Sequence, residues 1–449
     1  MSSYVPNTDA DRRKMLETLG LDSVEELFDV IPAEKRYPRL KLPQPLAELE
    51  VKKLLRGLAE KNADLDHHSC FLGAGAYDHF VPAVVDHVVR RGEFYTAYTP
   101  YQPEASQGTL TSIYEFQTMV CELTGMDVAN ASMYDGATAL AEAGLMAARV
   151  TRRNSLVVAS TLHPSYRKAL RTYTQGIGLD IREVGYGEDG GVDFHQAEEL
   201  HNEATAALMV QYPNFLGSLE DLLPLSELAH AAGALLVVCV DPIALGLLRP
   251  PGEQGADIVV GEGQSLGNPV SYGGPYVGLF ACRQKYLRQM PGRVVGKTTD
   301  TEGRRGFVLT LQPREQHIRR EKATSNICTN EALVALAVTT YLAVMGKQGL
   351  RQVAQLCYHK AHYAAHQIVA LPGCEKLFGQ FFKEFVIRTP LPPAEVNARL
   401  WERGIIGGYE LAQDYRQLTD CLLLCVTEMN TREEIDRLVQ ALGKIGGRR

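Results

Sequence analysis

LLVVCVDPIALG, residues 235–246, is a run of six apolar residues that ends on an acid, Asp241, and a proline. A short unbroken apolar run bounded by a turn signal reads as a strand buried on both faces. Similar runs flank it: SLVVAS (155–160), DIREV (180–184), AALMVQY (206–212), DIVVGE (257–262) and PYVGLFAC (275–282). Between them lie SYRKALRTYTQ, DFHQAEELHNEA and PLSELAHAAG, whose apolar residues recur at helical spacing. Apolar strands alternating with helices predict a largely parallel sheet covered on both faces, that is, an α/β fold.

Outward from this block the texture changes. Upstream, Thr8-Asp9 caps DADRRKMLETLGL, Ser23 and Glu26 form a capping-box pattern, and PLAELEVKKLLRGLAEKN reads as a third helix. A glycine-rich loop, FLGAGAY, follows at 71–77. Downstream, ALVALAVTTYLAVMG and RQVAQLCYHKAHYAAHQIVAL are helical. FKEFVIRT and CLLLCVTE then alternate with PAEVNARLWERG and TREEIDRLVQALGKI as a small α/β unit. The expected organisation is a helical arm (1–70), a large α/β domain (71–335) and a small one (336–449). No internal repeat is visible.

The chain has 449 residues, enough for a large core without staples. Lys plus Arg is 46 against 53 Asp plus Glu, which argues against a basic nucleic-acid surface. Nine scattered cysteines contain no CxxC pair, so neither a disulfide framework nor a zinc ribbon is expected. The start, Met1 to Met15, lacks an apolar signal core, and Gly233 to Leu248 is too short and too broken by Asp241 and Pro242 to span a bilayer. A cytoplasmic chain with no membrane or nucleic-acid partner is the expectation.

Several motifs carry less than they promise. GRVVGKT (292–298) has three residues between its glycines where a Walker loop needs four, and reads as a charged surface loop. The G-x-G-x-x-G at 185–190 places Glu188 and Asp189 where a pyrophosphate would sit, and reads as a turn. His67, His68 and Cys70 have no matching second pair for a tetrahedral metal. NASMYDGATALAEA (130–143) opens a helix, whose N-terminus attracts anions, but Asp135 at its rim is a cap rather than a phosphate partner.

More informative is FYTAYTPYQPEASQGT, residues 94–109. Its prolines stiffen a segment rich in hydroxyls and amides, suited to a polar ligand or an interface. Asp241, at the carboxyl end of a strand, stands where doubly wound sheets bind ligands and where an acid pairs with the pyridine nitrogen of pyridoxal phosphate. A lysine should then follow one strand later, yet none occurs from Asp241 to Gln284. Without a primary amine in that segment, no covalent bond to an aldehyde forms there. Lys285 and Lys297 are the nearest substitutes, and Lys285 lies past the end of its strand.

The chain resembles the first-subunit type of split glycine decarboxylases, the P-proteins of the glycine cleavage system. The resemblance rests on FLGAGAYDHF (71–80), EFYTAYTPYQPEASQGTL (93–110), FQTMVCELTGMDVANASMYDGATALAEA (116–143), GNPVSYGGPYVGLFA (267–281) and QHIRREKATSNICTN (316–330). It implies an aminotransferase-like fold of the pyridoxal-phosphate type I class, with a large mixed or parallel sheet and a small C-terminal domain. It further implies a partner subunit 2 that carries the cofactor lysine, a heterotetramer, and an aminomethyl-transferring glycine dehydrogenase that passes its product to the lipoyl arm of H-protein. Aligned on the shared proline and glycines, Gln264 takes the lysine position and Gly263 that of a histidine. The vestigial pocket implied in this chain comprises Asp135, Gly136, Thr138, His163, Asp241 and Gln264. Contacts to the shared site are expected from Tyr95, Tyr98, Tyr101, Gln102, Ser106 and Gln107, with Arg319, Arg320 and Lys322 a secondary cluster. No metal is expected.

Overall fold

The computed structural model describes residue 4 and residues 6–446. Residues 1–63 form one unit and residues 64–449 another. The arm boundary therefore falls before residue 70. Ser69–Cys70 pairs in parallel with Ile405–Ile406, so this segment belongs to the second unit.

The six expected strands, joined by the short Val128–Ala129, form one seven-stranded sheet. Its order is Val128–Ala129, Gly278–Cys282, Ile258–Glu262, Leu235–Val240, Thr205–Tyr212, Ser155–Ala159, Asp180–Val184. The last five are parallel. Gly278–Cys282 runs antiparallel to both its neighbours, Ile258–Glu262 and Val128–Ala129, so the sheet is mixed. The cause is local: the connection from Glu262 to Gly278 contains no α-helix, and a parallel return needs a long crossover.

Alternation along the strands divides the core in two. Val157, Leu208, Leu236, Val238 and Val259 face one side, against the helices Leu222–Ala231 and Gln107–Thr124. Leu156, Ala207, Met209, Val237 and Val260 face the other, against Gly136–Thr151 and Pro164–Thr174.

The two helical segments expected after residue 330 are one element, Ala332–Val369, broken at Gly346 (φ 59°, ψ −179°). A glycine adopts this left-handed conformation without the steric cost of a Cβ. The boundary expected at 335/336 lies inside the first part, which buries Val334, Val338 and Tyr341 in the large core. Ala332–Val369 is long and apolar enough to cross a bilayer, but these buried contacts make it a core helix. The part after Gly346 buries Ala361, Ala364 and Ile368 under the small antiparallel sheet, ordered Glu375–Lys376, Glu384–Arg388, Cys421–Cys425, Tyr409–Glu410.

GRVVGKT is not a surface loop. Val294–Thr299 pairs antiparallel with Arg305–Thr310, and Arg293, Val294 and Val295 are buried. The glycines that suggested a phosphate loop serve a hairpin instead.

Leu236 is fully buried in the central strand. Leu236→Ala removes three heavy atoms from a site where the sheet backbone limits collapse, so it should cost about 2–5 kcal/mol, read as a lower urea midpoint.

Candidate functional site

The carboxyl ends of Leu235–Val240 and Ile258–Glu262 open toward the place where this architecture binds ligands. Here that place is filled by the chain itself. Asp241 accepts a salt bridge from Lys383 Nζ at 2.8 Å, and both side chains are buried. Lys383 immediately precedes the strand Glu384–Arg388 of the small sheet, so the pair ties the two sheets together. Burial is the strongest single influence and opposes the Lys383 ammonium, but Asp241, Cys425 and Cys357 together keep the pKa above the usual lysine value. The same Nζ lies 3.0 Å from His79 Nε2 and 3.5 Å from the centre of the Tyr77 ring. His79 Nδ1 in turn lies 2.7 Å from Glu428 Oε2. Burial, and then Lys383, push the imidazole below its ordinary pKa. A neutral ring satisfies both neighbours, with Nε2 accepting from lysine and Nδ1–H donating to glutamate.

The glycine-rich loop supplies most of the filling. Tyr77 N donates to Gln264 Oε1 (2.9 Å), and Gln264 Nε2 donates back to Tyr77 O (2.9 Å) and to Asn268 O (2.7 Å). Ala74 N and Tyr77 Oη donate to the buried Glu384 carboxylate at 2.7 and 2.9 Å. His163 bonds Ala74 O through Nε2 (2.8 Å) and stacks on Tyr166. Gln264 is thus a backbone clamp.

The helix N-terminus is occupied as well. Asp135 and Thr138 form its capping box, as the sequence predicts for the acid. Glu262, which the sequence reading missed, accepts from Gly136 N (2.9 Å), Val277 N (3.1 Å) and Gln264 N (3.1 Å). Its carboxylate takes the role that a bound phosphate takes at such a terminus. Burial pushes the Glu262 pKa up to about 7, against the lowering effect of these N–H donors. At Gly263 a Cβ would stand 2.8 Å from Val277 Cγ1, so the strand end has no room for a side chain over the pocket.

What remains is a void of about 10 Å3 between Tyr77, Asp241 and Lys383. That is one water at most, whereas cofactor pockets run to several hundred Å3. The residues present do not fit pyridoxal phosphate: its phosphate seat holds Glu262, its acid partner holds Lys383, and Gln264 is committed to Tyr77. Lys383 brings an amine into the pocket from outside the 241–284 segment, but as the charged partner of Asp241. Lys285 pairs with Asp257, before the strand that ends at Glu262, and so lies at the other end of the sheet from Asp241. Lys297 is exposed on the hairpin.

An open cavity lies elsewhere. About 500 Å3 is enclosed by Tyr98, Thr99, Tyr101, Gln102 and Ser106, and a neighbouring cavity of about 220 Å3 by Tyr95, Tyr98, Thr329 and Asn330. Tyr98 is 85 % exposed and Tyr95 66 %. Five of the six expected lining residues are therefore brought together. Gln107 is turned away: its amide brackets Phe307, donating to the carbonyl and accepting from the N–H, both at 2.9 Å.

Behind the tyrosines stands Arg293, which no sequence signal marked. It is buried, and it donates to Cys328 O (2.7 Å), Thr329 Oγ1 (2.8 Å) and Tyr101 Oη (3.2 Å). It thereby joins the two loops that wall the cavities. The 316–322 turns carrying Arg320 and Lys322 are exposed. His67 is exposed and bonded to Asp64, while His68 stacks on Trp401. Among the described residues, His79, Cys357 and Glu428 group their donor atoms within 4.8 Å, but each already bonds within the group and the Lys383 ammonium adjoins it.

Solved structures with this architecture define its class. Sphingosine-1-phosphate lyase of Burkholderia pseudomallei superposes over 92 % of this chain and 93 % of its own, with a TM-score of 0.67 at 16 % identity. At that identity the likeness shows the fold alone, that of the type I pyridoxal-phosphate proteins. A crystal structure of a glycine decarboxylase (P-protein) of the glycine cleavage system, in inhibitor-bound form, matches at a TM-score of 0.91 and 45 % identity, over 99 % of this chain and 100 % of that one. The profile of the family described as "Glycine cleavage system P-protein" covers residues 2–442. Probable glycine dehydrogenase (decarboxylating) subunit 1 of Desulforamulus reducens is 55 % identical over 98 % of this chain and 99 % of its own length. The corresponding subunit of Thermomicrobium roseum is 56 % identical over 98 % of each. The chain belongs to the glycine cleavage system P-protein family.

Two outcomes test the filled pocket. Lys383→Met strands a buried carboxylate and should cost about 3–5 kcal/mol, whereas Lys383→Met with Asp241→Leu should recover most of that loss, read by denaturation midpoints. Glu262 holds its proton in the folded chain at pH values where the unfolded chain has released it. Its contribution is therefore full below about pH 4.5 and is lost as pH rises toward 7. Glu262→Gln should flatten stability across that window relative to the parent chain.

Proposed function

We propose that this chain is the first subunit of a heteromeric glycine decarboxylase that works beside a second subunit in a cytoplasmic assembly, with two copies of each. In this reading pyridoxal phosphate is bonded to a lysine of subunit 2, where it supplies the electron sink for loss of CO2 from glycine. The aminomethyl product passes to the lipoyl arm of H-protein. The present chain contributes no covalent chemistry. It orients and encloses.

One observation carries the reading: the pocket at the sheet end is filled from within, while an open cavity walled by tyrosines, an amide and a serine faces outward. Exposed tyrosines at such density suit a surface that a second protein covers. Tyr98, Gln102 and Ser106 offer hydroxyl and amide groups to a small zwitterion, and the aromatic rings exclude water once the partner closes over them. Arg293 fixes the loop that presents Tyr98, so the polar groups meet the partner's site already ordered.

Tyr98→Ala or Gln102→Ala should lower glycine–bicarbonate exchange by the reconstituted complex about 10- to 100-fold, with unchanged assembly and unchanged stability of the isolated chain. Full exchange by both variants reduces this surface to a scaffold. Exchange by this chain alone overturns the assignment.

A further inference from the structure

The N-terminal unit has no core. No described residue from Tyr4 to Ala63 is buried. Its two α-helices, Asp9–Leu19 and Glu48–Ala59, have 11 and 12 residues, lengths at which a helix is marginal without packing. Yet both have capping hydrogen bonds at their N-termini, so their helical form is written into the sequence. Sixteen large apolar side chains between Met15 and Leu58 stand exposed. At roughly 100 Å2 apiece they offer on the order of 1,500 Å2, about twice what one partner gives to a standard complex. Where such side chains adjoin, exposed apolar surface marks an interaction site.

The second helix concentrates the effect. Val51, Leu54, Leu55 and Leu58 follow i, i+3, i+4, i+7 spacing and form one stripe, with exposures from 37 to 58 %. Outside the stripe, Leu49 is exposed too, and the charged residues mix Glu48 and Glu50 with Lys52, Lys53 and Arg56. A membrane-surface helix carries a dominantly cationic polar face. This mixture suits a helix laid in a groove of another protein.

We propose that residues 9–63 form a docking arm whose apolar stripe, Val51 to Leu58, is covered by the second subunit of the decarboxylase. The inference rests on the proposed function. Relatives named subunit 1 at over 50 % identity point to a different chain as the companion, rather than a second copy. The area is in the range that a stable heteromeric contact requires.

The test uses full-length chains. Leu54→Asp with Leu58→Asp alters only exposed positions, so the isolated chain should keep its circular dichroism and thermal midpoint. Its dissociation constant for subunit 2, read by sedimentation, should rise at least tenfold. Lys53→Ser, on the opposite helix face, should leave that constant unchanged. Amides 48–59 should exchange rapidly in the isolated chain and slow when subunit 2 is added. Unchanged affinity of the double variant overturns the arm while leaving the functional reading intact. So does full protection of these amides in the isolated chain, or a homodimer of this chain that the double variant dissolves. Failure of the unaltered chain to bind subunit 2 overturns both.

Discussion

A single buried ion pair organises this molecule. Lys383 enters from the small sheet and meets Asp241 at the carboxyl end of the large one, 2.8 Å away. Two charges removed from water are tolerable only when mutually paired and fully hydrogen-bonded, and here each demand is met by a further element. His79 accepts a second hydrogen bond from the ammonium, Glu428 steadies His79, and the Tyr77 ring covers the ammonium. The loop that brings Tyr77 and His79 into place is thereby drawn across the pocket, and its backbone becomes the partner of Gln264 and Glu384. The closed pocket follows from how that pair is satisfied.

The substitutions in the pocket are chemically coherent. Strand ends and helix termini present polar groups that need partners, and here each finds one within the chain. The free N–H at the start of Gly136–Thr151 receives the Glu262 carboxylate. The acid at the end of Leu235–Val240 receives the Lys383 ammonium. A site emptied of its ligand without such replacements would leave several buried polar groups unsatisfied, at about 1–3 kcal/mol each. The chain keeps the fold of its class by supplying internal counterparts.

The large sheet was legible because its signal is periodic and local. LLVVCVDPIALG, the flanking apolar runs and the helices between them sit where their patterns place them. The antiparallel edge was less so, since strand direction depends on whether a connection holds a helix. Asp135 as a cap was legible from its place at the start of the helix. Lys383, Glu384, Glu262 and Arg293 were not, because burial of a charged side chain depends on partners that here lie as far as 310 residues away, or on the packing around it. FKEFVIRT reads only as a strand until Asp241 and the 74–79 loop are set against it. GRVVGKT drew attention to its glycines and lysine, while the residue that matters there is Arg293.

The same physics explains why the outward face carries the polar loop. The sheet-end pocket, sealed by its own ion pair, leaves no room for a small substrate there, so under the proposed function this chain contributes from its surface. Surface tyrosines are mobile unless something behind them restricts their backbone. Arg293 provides that restriction, since its planar guanidinium reaches the 328–329 segment and Tyr101 at once, which a lysine's single ammonium would do poorly. The cavity near Tyr98 is thus ordered before any partner arrives, and a partner's binding energy need not be spent on arranging it.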